Sequence, residues 1–119
     1  MSDLTIYEKR TCSTCRRLYE LLTERGIDAD RVQYHVEGID EATIRDLLAK
    51  AGIGPREALR LREPLVAELG LIEGDGVGDD ELIAQMALHP ELLQRPIVVR
   101  GDRAVLARPV ERVLELLDD

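Results

Sequence analysis

The sequence has no tryptophan and no phenylalanine, and Tyr7, Tyr19 and Tyr34 are its only large aromatic side chains. Platforms for stacking single-stranded bases are therefore nearly absent, and any core must be aliphatic. No apolar run reaches the roughly 20 residues that cross a bilayer. The start, Met1-Ser2-Asp3-Leu4, has no basic segment followed by an apolar one, so no export signal is read and the cytoplasm is expected. Repeats, low-complexity tracts and long linkers are missing too, and residues 1–119 read as one domain. Positive charge is in deficit: the formal net charge is -8. Such a surface repels phosphate backbones and acidic head groups, which argues against a general nucleic-acid or membrane binder and leaves room only for a local basic patch. Two cysteines are too few for a disulfide scaffold.

What is present is aliphatic and ordered. Hydrophobic residues make up 45%, which suffices for one core and argues against disorder. Leu4-Thr5-Ile6-Tyr7 reads as a short buried strand, and Ser13 to Arg25 as a helix whose apolar face holds Leu18, Tyr19, Leu21 and Leu22. Alternation over residues 31–36 suits a second strand, giving a parallel β-α-β start. Asp40 is placed to cap a helix that buries Ile44, Leu47 and Leu48 and ends at Gly52. Further helices are expected at 56–61, at 64–71 behind Pro64, and from Asp79-Asp80-Glu81, which place negative charge on a first turn. Residues 73–78 read as a glycine-rich loop. Pro96 precedes a strand at 97–99, Gly101-Asp102 turns to a strand at 104–107, and Pro109 opens a last helix with Val110, Val113, Leu114 and Leu117 inward. The order is that of an α/β thioredoxin-like fold, with a helical insertion between the βαβ unit and the C-terminal β-hairpin-α unit.

Cys12-Ser13-Thr14-Cys15 is a C-x-x-C where a strand gives way to a helix. Free N–H groups and the helix dipole favour a thiolate at Cys12, and Lys9, Arg10, Arg16 and Arg17 add cations nearby. Cys15 lies about one turn on, close enough for a disulfide once Cys12 has reacted. Other readings carry less. A zinc site needs two more ligands, and only His35 and His89 remain, without ligand spacing. Two buried core thiols are a second option, and a stabilising disulfide across so short a loop removes little chain entropy. His35 and His89 suit packing or capping, and Tyr7 either lines the site or closes the core. Pro96 suits the start of a strand, where its missing N–H costs no ladder bond; by itself the sequence favours a trans bond there.

Together, Leu4 through Cys12, Gly52-Ile53 through Arg60, Glu63-Pro64 to Leu71, Asp79 to Ile83, His89-Pro90-Glu91-Leu92-Leu93 and Arg95-Pro96-Ile97-Val98-Val99 through Arg108-Pro109 resemble the glutaredoxin-coupled arsenate reductase family and its Spx-like relatives. The resemblance implies a Cys12 nucleophile, oxyanion-binding arginines at Arg60, Arg95 and Arg108, and a cis bond at Pro96. It implies no bound cofactor. Cys12 would attack arsenate, and a second thiol would release arsenite, with glutathione and glutaredoxin as the reducing partners. Guanidinium forks suit a tetrahedral oxyanion. Two departures matter. Many such reductases lack a cysteine at the place of Cys15, whereas Spx regulators have one; Cys15 could then resolve the adduct, with thioredoxin as reductant. Many also carry histidine where this chain has Glu8, and a carboxylate there disfavours a thiolate and an incoming anion. The alternative function is a redox-sensing regulator that binds RNA polymerase through a Cys12–Cys15 switch. A third is a binding module without activity, marked by a Cys12 of ordinary reactivity.

Overall fold

The computed structural model describes residues 4–9, 11–71 and 77–117. The glycine-rich stretch expected at 73–78 falls largely outside them. Strands β1 (Leu4–Glu8), β2 (Ala29–Gln33), β3 (Ile97–Arg100) and β4 (Arg103–Leu106) form one sheet in the order β2-β1-β3-β4. β1 runs parallel to β2, with Glu8 opposite Gln33, and antiparallel to β3, with Tyr7 opposite Ile97. Gly101, at φ 63°, makes the tight β3–β4 turn. Helices are α1 (Ser13–Glu24), α2 (Tyr34–Glu37), α3 (Glu41–Ala51), α4 (Pro64–Glu68), α5 (Asp79–Leu88) and α6 (Leu114–Leu117).

Aliphatic side chains fill both faces of the sheet. On one, Leu4 and Ile6 of β1 join Leu18 and Leu22 of α1, with Val98, Val105, Val110 and Val113. On the other, the helical insertion packs Ile44, Leu47, Leu82, Met86 and Leu93 against Ile97. The expected thioredoxin-like α/β arrangement with a mid-chain insertion is thus present. Asp40 caps α3 by accepting from the Thr43 N–H at 2.8 Å, and Gly52 ends it at φ 68°.

Four local expectations fail for identifiable reasons. Residues 34–37 leave the sheet, because β1 ends at Glu8 and offers no further partner; Tyr34 instead turns inward and donates to the Leu93 carbonyl at 2.6 Å. Residues 56–61 form turns rather than a helix. Their backbone is drawn into an antiparallel bridge with the 92–94 segment, where Arg60 N–H donates to Leu92 O and Gln94 N–H to Ala58 O, each at 2.7 Å. Tyr19 is exposed and lies under Arg31, whose guanidinium carbon sits 4.1 Å from the ring centroid. The last helix starts as a 3-10 turn at 110–113, and Leu116 rather than Leu117 is its deeply buried leucine.

Candidate active site

Three strand and loop ends converge beside the start of α1. Cys12 stands at the N-cap of α1 with extended backbone (φ -75°, ψ 124°), and it is half-buried. Sequence leaves this terminus open: no acidic residue sits in the first turn, and no side-chain hydrogen bond caps it. The positive end of the helix is therefore left for the sulfur. Burial pushes the Cys12 thiol up. The N–H of Cys15, the Cys15 thiol, the N–H of Thr14 and the Arg95 charge outweigh it, and Cys12 is held below the ordinary thiol range. Cys15, fully buried, behaves oppositely: burial pushes it up to about 12, against the Lys9 N–H, while the charges of Cys12 and Glu8 push the same way as burial. The two thiols are thus pushed in opposite directions, Cys12 toward the thiolate and Cys15 toward its protonated form.

A cavity of about 320 Å³ opens over Cys12, lined by Lys9, Thr11, Ser13, Thr14, Arg60, Arg62, Arg95 and Arg108. Every charged group in that lining is a cation. The arginines come from three places far apart in the chain: the loop after α3, two residues before β3, and two residues after β4. Arg95 is 4% exposed. Burial works against its charge, but Tyr34 and Cys12 hold it on, and its affinity for the proton rises. Arg108 Nη1 donates to the Arg95 carbonyl at 2.9 Å, and Arg60 pairs with Glu63 at 3.5 Å. The buried Nε of Arg95 has no hydrogen-bond partner, and that of Arg60 has only the Glu63 carboxylate, at ion-pair distance without a hydrogen bond. Buried donors of this kind call for an acceptor, and an anion with several oxygens would satisfy them. Pro96 follows a cis bond, and so does Pro109, which the sequence had not singled out.

The structure brings together Cys12, Arg60, Arg95 and Arg108 at the cavity, with Cys15 against Cys12 and Pro96 next to Arg95 in the chain. It separates others. Arg16 and Arg17 are exposed on α1 and do not line the cavity, because they project from the helix face opposite its buried one; Arg10 lies outside the described residues. Tyr7 lines a different groove with Glu37 and Asp40. Among the described residues no three histidine, cysteine or acidic side chains gather as metal ligands. Burial lowers His35, and the Lys9 and Arg95 charges push it the same way. Glu8 does not line the cavity. It is buried at 0% exposure, where Arg31 Nη2 reaches its Oε2 at 2.6 Å and Gln33 Nε2 donates to the same oxygen at 2.9 Å. Its charge is met inside the fold rather than at the mouth.

Sequence reasoning missed Arg62 and Tyr34 as parts of this site. Arg62 could have been found by its place two residues beyond Arg60 in a loop. Tyr34 carried no signal, since alternation placed it in a strand.

A family model for the ArsC family matches residues 7–116. The chain is similar to the protein YfgD of Escherichia coli K12, with 39% identity over 97% of each chain. It is 35% identical to an arsenate reductase of Neisseria meningitidis, across 98% of this chain and 100% of that one. Among solved structures, an arsenate reductase from Vibrio cholerae superposes with a TM-score of 0.89 at 35% identity, covering 94% of this chain and 95% of the other. No helix among the described residues is long and apolar enough to cross a membrane.

Proposed function

The chain belongs to the ArsC family, and we propose that it is a thiol-dependent reductase that converts arsenate to arsenite through an adduct on Cys12. The observation that carries this reading is the Cys12 sulfur, pushed toward the thiolate, at a cavity walled by Arg60, Arg95 and Arg108. Arsenate brings further negative oxygens to a cavity whose lining cations outnumber the one carboxylate, Glu63, that pairs with them. Their forks bind tetrahedral oxyanions with direction, so the arsenic is held facing the nucleophile.

The sequence of steps follows from the charges. Cys12 thiolate attacks arsenic, and an arsenate oxygen leaves as water after taking up a proton. A second thiol then attacks the Cys12 sulfur. The sulfur–arsenic bond breaks, its electron pair stays on arsenic, and arsenite departs in the trivalent state. In this chain Cys15 supplies the second thiol, because it already touches the Cys12 sulfur. The product is a Cys12–Cys15 disulfide. Glutathione with glutaredoxin, or thioredoxin, restores the two thiols; no bound cofactor takes part.

Arsenite production by the purified chain, with arsenate and each reducing system in turn, tests the reading. Cys12→Ser is expected to abolish turnover. No arsenite with either system would overturn it.

A further inference from the structure

The cavity over Cys12 holds more positive charge than one oxyanion uses. Lys9, Arg60, Arg62, Arg95 and Arg108 line it, and Glu63 pairs with Arg60. A phosphate group, the analogue of arsenate, carries about 1.5 to 2 negative charges near neutrality. The excess stands on a chain whose formal net charge is -8, so it is a local feature. At about 320 Å³ the cavity also reaches the range, about 300–1,000 Å³, of those that hold small organic ligands.

The cations differ in depth. Arg95 is buried, and the Arg60 side chain is only 19% exposed. Arg62 lines the same cavity yet is exposed. A tight turn sets this contrast. The Glu63 N–H donates to the Arg60 carbonyl at 3.1 Å, which puts Leu61 and Arg62 at the corner. Arg60 is pinned at the turn's start, where its own N–H donates to the Leu92 carbonyl at 2.7 Å. Arg108 is spent in part on the Arg95 carbonyl. No carboxylate pairs with the Arg62 or Lys9 side chain among the described residues. Two cations of the lining are therefore left over, and one of them stands at the mouth.

We propose that Arg62, with Lys9, forms a second anion seat at the mouth of the cavity, which takes a carboxylate of a small acidic thiol such as glutathione while its sulfur reacts at Cys12. The inference rests on the proposed Cys12 chemistry. Of the two sulfurs in a Cys12–Cys15 disulfide, Cys12 is the reachable one: it is half-buried on the cavity, and Cys15 is fully buried. The incoming thiolate bonds to the Cys12 sulfur. The Cys12–Cys15 bond breaks, and Cys15 leaves with its electron pair and takes a proton. A second molecule of the thiol attacks the sulfur of the first. Cys12 leaves as thiolate, and the two molecules depart joined as their disulfide. The carboxylates of glutathione lie several bonds from its sulfur. With that sulfur at Cys12 they fall toward the mouth, where Arg62 stands, rather than beside Arg95. A neutral thiol gains nothing from the seat, and an amine-bearing one is repelled. Arg62 is in this way a residue that selects the reductant.

Oxidised glutathione reaches the same mixed disulfide from the other side, without arsenate. The Cys12 thiolate attacks one of its sulfurs, and one glutathione leaves. Bis(2-hydroxyethyl) disulfide undergoes the same exchange but carries no carboxylate. The readout is the ratio of the two initial rates, charged reagent over neutral, followed as loss of the Cys12 thiol. In Arg62→Ala this ratio is expected to fall about 5-fold, the upper scale of an exposed charge pair, and Arg62→Lys is expected to recover part of it. Arg17→Ala removes the same charge from the exposed side of α1, off the cavity, and should leave the ratio at its wild-type value. A ratio unchanged in Arg62→Ala overturns the seat. An equal fall in Arg17→Ala overturns it too, since the effect would then be a general field rather than a contact. So does a wild type that exchanges with the neutral disulfide and not with oxidised glutathione. If the ratio falls as expected while arsenate yields no arsenite, the arsenate reading fails and the seat stands as a thiol site.

Discussion

Arg108 Nη1 donates to the backbone carbonyl of Arg95 at 2.9 Å, so one cation of the cavity positions the peptide that carries another. Arg108→Ala therefore removes a ligand and loosens its neighbour. Hydrogen bonds to charged groups are worth about 1.5–3 kcal/mol, which predicts a loss of about 10- to 100-fold in kcat/KM for arsenate. Arg108→Lys should restore only part, because an ammonium cannot form a planar fork. Steady-state kinetics of both variants check this.

Cys12 should titrate below an ordinary thiol. Its alkylation rate against pH is expected to show a midpoint under about 8.5, the reference value for cysteine. Burial opposes the thiolate, and Arg95 is one of the groups that overcome it. Arg95→Met should accordingly move the midpoint up. An unchanged midpoint would assign the effect to the helix terminus and Cys15 alone.

Alkaline pH should weaken the fold. Burial raises Cys15 from 9.0 and Tyr34 from 10.0, each to about 12, because the interior favours their neutral forms. Their contribution is complete below the unfolded values and is lost as pH climbs toward 12. Urea midpoints are expected to fall between about pH 9 and pH 11. Cys15→Ala should flatten that fall. Tyr34→Phe should flatten it as well, while lowering stability at neutral pH by about 1–3 kcal/mol because the Leu93 carbonyl loses its partner.

Leu18 is fully buried on α1, between Cys15 and Leu22. Leu18→Ala should cost about 2–5 kcal/mol through lost burial and the cavity left behind. Gly52→Ala should cost about 1–2 kcal/mol for a different reason: the new Cβ meets nothing within 4 Å, but the backbone stays at φ 68°. Chemical denaturation separates the two sizes of effect.

Periodicity made most of the frame legible. Residues 4–7, 13–25 and 97–107 each carry their own pattern, and the cysteine turn stands out because its spacing is local. Arg60, Arg95 and Arg108 do not share a pattern, since they lie on separate loops; only the family resemblance joined them. Tertiary pairing decided what local signals could not. Residues 56–61 look helical until the bridge between Leu59 and Leu93 claims their backbone. Glu8 looked like a threat to the thiolate because the sequence gives no sign that Arg31 and Gln33 face it from the next strand.

That same bridge governs how the protein can change over time. Arg60 lies one residue past Leu59, and Arg95 two past Leu93, so two main-chain hydrogen bonds set how far apart these cations begin. Main-chain bonds are indifferent to side-chain identity. The intervening helices can drift in composition, acquire new surfaces or exchange partners, while the spacing of the anion seat is inherited unaltered.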